Sequence, residues 1–221
     1  MTRRLHVPPG RAGQLWLVHR RQVALRAVDL LDQKLRVLRS ERVRRSLVEE
    51  RTRAAWEAAV RDADTWQRRL AQLGGQRALR LGTARHPAEV HVRWEQVVGV
   101  RYPAFADLRL PEEADGAGVD GSASAVLLET RRRMAAAATA AAQQAAALAA
   151  LRTLEAQEAA TRRRLRSIRT RYLPLLETTL RDVEVVLEED ERADVLRLRW
   201  AAGRGAAVAT RGGTDERRAG P

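Results

Sequence analysis

The side chains that could do chemistry in this chain are its histidines, acids, hydroxyls and arginines. The four histidines, His6, His19, His86 and His91, share no spacing with one another or with acids that would outline a metal site. Cysteine is absent, which removes disulfides and thiolate ligands. No glycine-rich loop runs into Lys-Ser or Lys-Thr, so no phosphate cradle is expected, and Gly203 and Gly205 lie in the tail. No serine or threonine stands in a recognisable nucleophile setting. The expectation is therefore no catalytic residue, no cofactor and no metal. What remains is arginine. The chain carries 41 basic against 28 acidic residues, a net charge of +13, and Lys34 is its sole lysine. Such a charge favours an acidic partner, whether nucleic acid, membrane surface or protein. Arg131 to Arg133 and Arg162 to Arg164 are consecutive, so on a helix they fan around it and read as solvated. Trp56 and Trp66 stand ten apart on an apolar stripe, which suits packing better than base stacking.

The elements that must position these arginines are helical. Large apolar side chains suffice for a narrow seam and are thin for a rounded core, since only 4% of residues are aromatic and alanine inflates the 45% hydrophobic share. Met1 to Gly13, with Pro8, Pro9, Gly10 and Gly13, reads as an irregular lead without the apolar core of a signal peptide. Residues 14–73 hold no Pro and no Gly and read as one long helix, roughly 90 Å if fully formed. Leu25, Val28, Leu31, Leu35 and Leu38 step by three or four along it. Val43, Leu47, Ala54 and Ala58 continue the stripe after a shift, and Trp56, Val60, Ala63, Trp66, Leu70 and Leu73 close it.

Residues 74–124 form a middle segment. Val90, Val92 and Trp94, then Val98, Val100 and Tyr102, alternate with polar residues. This predicts two short strands within 89–102, bent near Glu95 to Val97 and ended by Pro103. The stretch 111–124 reads as a loop, with Ser122 or Ser124 placed to cap the next helix. A second helix is predicted over 125–200, its seam formed by Leu165, Ile168, Tyr172, Leu175, Thr179 and Val186. Pro174 costs a helix about 3 kcal/mol, yet the stripe runs across it, so it reads as a kink. Ala135 to Ala150 has two readings: close helix approach, or simple helix propensity in a compositionally biased chain. The longest uncharged run, Met134 to Leu151, is too weakly apolar to predict a membrane span. Residues 201–221 read as a disordered tail. Two long one-sided helices joined by a short middle predict a mainly α fold, an antiparallel two-helix coiled-coil hairpin with a small β-hairpin. The chain ends would lie together at one end of a rod and the strands toward the other.

The stretch from Arg163 to Arg199 resembles the carboxyl-terminal helix of the D subunit of V-type and A-type rotary ATPases. That pattern has paired Arg, an apolar run into Pro, Leu-Glu-x-Thr, then Leu-Glu-Glu-x-Glu-Arg. Arg163, Arg164, Pro174, Leu176, Glu177, Thr179, Leu187, Glu188, Glu189, Glu191, Arg192, Arg197 and Leu198 match it. Pro9, Arg11, Leu17, Arg20, Ala24, Leu30, Leu31, Lys34 and Leu38 suit the family's first helix. Ala27 stands where the family usually has Gly, Arg21 replaces an apolar residue, and Arg166 an Asn.

The resemblance implies a non-catalytic central-stalk axle. Its partners would be the catalytic and noncatalytic nucleotide-binding subunits of the ring, the small F subunit of the stalk and a funnel-like subunit leading to the membrane rotor. The complex would sit on the cytoplasmic face of the plasma membrane, and this chain would touch neither nucleic acid nor, directly, the membrane. Arg11, Arg20, Arg21, Arg26, Arg197 and Arg199 are the expected ring contacts. Two rivals stand beside this reading: a basic coiled coil that binds nucleic acid, and a self-associating scaffold.

Overall fold

The computed structural model describes residues 5–82, 87–110 and 125–215, with side chains for 5–73, 87–110 and 125–202. Helix α1 spans Gly10–Gly82, strand β1 Glu89–Val97, strand β2 Val100–Arg109 and helix α2 Ala125–Ser167. A π-helical turn, Ile168–Tyr172, joins α2 to helix α3, Leu173–Asp215. The fold is mainly helical, with a small two-stranded antiparallel sheet. The chain divides into two compact units: residues 1–30 with 164–221, and residues 31–163.

Helix α1 starts earlier and ends later than 14–73. Gly10, at φ +71°, turns the chain into the helix. Gly13 follows within the first turn, and a Cβ there would lie 2.1 Å from the Pro8 carbonyl oxygen. The Pro8–Pro9 lead thus folds tightly over the helix start, which only glycine admits. Gly74 and Gly75 do not end α1, whose backbone continues to Gly82. Likewise α3 passes residue 200 and runs to Asp215, so the expected tail is helical over 201–215. The expected loop at 111–124, with Ser122 and Ser124, lies outside the described residues.

In the first unit, α1 and α3 pair antiparallel. Leu17, Ala24 and Leu176 are buried together, flanked by Trp16, Ile168, Tyr172, Leu173, Leu180 and Val183. Leu25 is 41% exposed, because Ala24, one position earlier, takes the seam. Val186 is 55% exposed. Leu175 and Thr179 are half-buried, while Leu176 is almost wholly buried. The π turn accounts for this phase. Pro174 has no N–H, and its ring would crowd the carbonyl four residues earlier. The chain widens instead, and the Leu173 N–H donates to the Ile168 carbonyl, five residues back. A wider turn spends extra chain per revolution, so the seam steps Ile168, Tyr172, Leu176, Leu180 by fours before Val183 restores a three.

In the second unit, α1 and α2 also pair antiparallel. Arg39 meets Glu158, Glu49 and Thr52 meet Gln144, Asp62 meets Arg133, and the Trp66 carbonyl accepts from Thr130. Leu38, Ala150 and Leu154 are buried with Val100 and Tyr102 of the strands. Leu31 is half-buried, and Leu35 is buried. Val43 and Leu47 are about half exposed; Glu41 and Glu49 occupy the inner positions where the apolar stripe shifts. Trp56 and Val60 are also partly exposed, in a stretch where α2 buries alanines such as Ala137 and Ala146. Ala125–Ala202 meets the length and composition of a membrane span. Alanine supplies that apolarity, and the buried Gln144 amide ties the segment to Glu49 of a heavily charged helix.

The strands form a hairpin that differs from the predicted one. Its turn is Val98–Gly99, not Glu95 to Val97, and both turn residues have positive φ, 41° and 78°. This is the type I′ geometry whose twist suits two paired strands. Pro103 does not end the second strand. It sits where the ladder slips, with Arg93 opposite Phe105 and Trp94 opposite Pro103, so a missing N–H costs little there. Within the second unit its residues Val100 and Tyr102 pack beside Leu38.

Two measurements check this description. Leu176→Ala is expected to cost about 2–5 kcal/mol of unfolding free energy, and Leu175→Ala less than about 1.5 kcal/mol. Equal losses in chemical denaturation would contradict the phase set by the π turn. A β-branched residue is strained in the left-handed region, so Val98→Asn should stabilise the protein by about 1 kcal/mol, seen as a raised Tm.

Candidate partner-binding surfaces

Two surfaces concentrate polar and exposed apolar groups, one in each unit. The second unit holds a polar node where α1 grips the hairpin. Glu41 and Arg45 stand one helical turn apart on α1, and the Arg45 Nε donates to Glu41 Oε1 at 3.0 Å. The Tyr102 hydroxyl of β2 donates to that same oxygen at 2.9 Å. Arg45 also donates to the Tyr102 oxygen at 3.2 Å, to the Ala104 carbonyl at 3.3 Å, and to Glu95 of β1. Its guanidinium lies 4.9 Å from the centre of the Tyr102 ring. Arg44 closes on Glu41 from solvent.

Glu41 and Tyr102 are nearly inaccessible, at 4% and 2%. Burial pushes the Glu41 carboxyl upward, but the Tyr102 hydroxyl and the charges of Arg45 and Arg44 outweigh it and hold the group below its ordinary value. Burial also raises the Tyr102 phenol, and its bond to the Glu41 carboxylate adds to that against the pull of Arg45. Arg45 loses hydration on burial, yet Tyr102 and Glu41 hold its proton more firmly than usual.

A second caged carboxylate lies on α2. Glu158 is buried and receives Arg162 at 2.6 Å, Arg42 at 3.0 Å and Arg39 at 3.2 Å. Near the other end of α2, Arg133 bonds Glu129 and faces Asp62 of α1, which raises its pKa further. These links fix where α1, α2 and the hairpin meet. Sequence reading placed only apolar side chains on that seam. The signal it passed over was the pair Glu41 and Arg45, at i and i+4, where an apolar residue was due.

The first unit carries the expected ring contacts. Arg11 pairs with Glu191 at 2.7 Å and Arg21 with Glu177 at 3.3 Å, both across the helix pair. Arg20 stacks on Trp16 at 5.1 Å, and Arg197 pairs with Asp194 at 2.9 Å on its own helix. Arg26 and Arg199 are exposed and held by no ion pair among the described residues. Exposed pairs of this kind contribute about 0–1 kcal/mol each, so the two cross-helix pairs register the helices more than they stabilise them. Large apolar side chains stand in solvent around them: Leu15 and Leu30 on α1, Val185, Leu196, Leu198 and Trp200 on α3. Leu198 and Trp200 are each 71% exposed. Leu196, Arg197, Trp200 and Ala201 line a shallow cleft. Leu196 and Trp200 stand one helical turn apart, so apolar surface lies open to solvent along that face of α3.

The family model for the ATP synthase D subunit matches residues 15–203, which takes in the hairpin, all of α2 and most of α1 and α3. The chain belongs to that family. A search of curated proteins returns no match. As a D subunit the chain is a stalk component of a rotary ATPase and one part of a multi-subunit complex. Stalk subunits of this family are generally non-catalytic. Among the described residues of this D subunit, no three His, Asp or Glu side chains converge as metal ligands.

The polar node makes a prediction with a sign. Tyr102→Phe leaves a buried carboxylate short of one donor and should cost about 1–3 kcal/mol. Because native Glu41 titrates below its ordinary 4.5, its contribution is present above that pH and is lost as pH falls through the lowered native value. Native Tyr102 titrates above its ordinary 10.0, so its contribution holds below that pH and is lost as pH rises through the raised value. Unfolding measured against pH should show the acid-limb loss shrink in Glu41→Gln, and the alkaline loss shrink in Tyr102→Phe.

Proposed function

We propose that this D subunit is the central-stalk axle that carries torque between the nucleotide-binding ring and the ion-translocating rotor in the membrane. The observation that carries the reading is the solvent-facing apolar surface of the first unit, on a chain of this family. The exposed Leu15, Leu196, Leu198 and Trp200 suit a covering socket. In this reading the socket is the ring of catalytic and noncatalytic subunits, which bind ATP while the axle binds none. The two helices present unlike groups around their circumference: arginines on α1 face carboxylates such as Glu177 and Glu191 of α3. An axle with unlike faces meets each ring subunit differently, so the nucleotide sites differ at any instant and turning the axle exchanges their states. Arg11, Arg20, Arg21, Arg26, Arg197 and Arg199 are the proposed polar contacts. The small F subunit of the stalk and a funnel-like subunit would connect the axle to the rotor, with the complex peripheral on the cytoplasmic face of the plasma membrane. The transported ion would be a proton or sodium.

Capture experiments test this. The folded chain should co-purify with the reconstituted ring and with the small stalk subunit. Leu198→Ser with Trp200→Ser should weaken ring capture by about tenfold or more, while capture of the small subunit persists. A folded chain that ignores both partners, yet holds generic DNA or RNA at physiological salt, would replace the axle by the nucleic-acid reading.

A further inference from the structure

Glu158 of α2 is surrounded by more positive charge than one carboxylate requires. Its side chain is 7% accessible, whereas those of Arg39, Arg42 and Arg162 around it are 49%, 39% and 53% accessible. The carboxylate is thus the floor of the cluster, and the three guanidinium groups are its solvent-facing rim. Arg39 and Arg162 each donate one hydrogen bond, both to Oε1. Arg42 Nε lies 3.0 Å from Oε2 but is not aligned to donate, and this buried N–H has no hydrogen-bond partner among the described residues. Each guanidinium carries five N–H donors in a fixed fork, so Glu158 occupies only a small share of the donors on this rim.

The charge is unbalanced as well. Three cations stand within reach of a single anion, and the nearby acids do not restore neutrality. Glu41, beside Arg42 in the chain, is bound by Arg44, Arg45 and Tyr102. Glu155, one turn before Glu158, is exposed and enters no ion pair among the described residues. Register between α1 and α2 does not need the surplus, because Arg39 alone ties Glu158 to α1 by a hydrogen bond. Arg42 adds charge to the cluster and no hydrogen bond. Like charges held this close repel one another. A small anion seated among them relieves the repulsion and accepts the spare N–H groups, each as a charge-assisted hydrogen bond. Tetrahedral oxyanions bring several acceptor oxygens, and the guanidinium fork matches their edges.

We propose that Arg39, Arg42 and Arg162 form a site for a tetrahedral oxyanion of the phosphate class, either free phosphate or the phosphoryl group of a larger molecule. The anion lies on the solvent side of the rim, so the guanidinium groups stand between it and Glu158. It bridges α1, through Arg39 and Arg42, to α2, through Arg162, and so clamps the two helices at this level. The site is independent of the axle reading, since it uses none of the residues proposed to meet the ring.

The test uses the full chain near neutral pH. Inorganic phosphate, ADP and a Glu-rich peptide are titrated separately at constant ionic strength, balanced with chloride, and binding is followed by calorimetry and by Tm. Phosphate or ADP should raise Tm saturably above the chloride level. Arg42→Gln leaves both hydrogen bonds to Glu158 in place and should bind the anion about tenfold more weakly, as expected for loss of about one charge-assisted hydrogen bond. Arg162→Gln should show a similar loss, and it serves if Arg42→Gln does not fold. Arg51→Gln, which removes an exposed arginine elsewhere on α1, should leave binding unchanged. Tighter binding of ADP would identify a nucleotide phosphoryl group as the source, and tighter binding of phosphate the free anion; both support the site. No response beyond chloride would overturn the proposal, as would a response that Arg42→Gln and Arg162→Gln leave intact. Binding of the Glu-rich peptide alone, with the same arginine dependence, would assign the rim to a protein carboxylate and overturn it too.

Discussion

Each long helix of this protein has one narrow apolar edge, and such an edge is buried only by a second helix held at matching phase. With few aromatic residues and much alanine, the chain has no surplus of buried area to absorb a mismatch. Everything else follows from keeping the two edges face to face. Leu17 and Leu176 meet because the π turn corrects the phase of α3, and Leu38 and Leu154 meet because polar groups pin α1 to α2. Glu158 within its three arginines and Gln144 between Glu49 and Thr52 are costly groups to bury. Their value lies in direction, since an apolar ladder of alanines tolerates sliding and a caged carboxylate does not.

The fold class was legible because it depends on periodicity. Long runs without Gly or Pro, and apolar residues at steps of three and four, require paired helices whatever the details. The strands were legible from alternation, and the family from the Pro174 to Arg192 motif. The finer errors have physical causes. A seam through Leu175 and Thr179 follows from a regular helical period, which a π turn does not keep. The hairpin turn escapes local patterns because Val at a left-handed position carries no turn signature. A stripe continued to Val43 and Leu47 assumes that seams are apolar, whereas Glu41 and Glu49 hold the inner positions.

The surfaces divided in the same way. Exposed arginines could be counted from sequence, but which of them are neutralised could not. Arg11, Arg21 and Arg197 each proved to have a carboxylate within reach. The node of Glu41, Arg45, Glu95 and Tyr102 joins residues up to 61 apart in the chain, a pairing no local pattern announces.

The π turn also governs aim. One added residue in a helix advances every later side chain by roughly a hundred degrees of heading. Trp200 and Leu198 lie some seven turns beyond it, so their compass bearing relative to Leu17 is decided at Ile168–Tyr172. An insertion or deletion of a single residue there would move Leu176 off the seam and swing the whole distal surface of α3 to a new quarter. Chain length at this one bend thus sets two things together, the seating of Leu176 against Leu17 and the heading of the distal face.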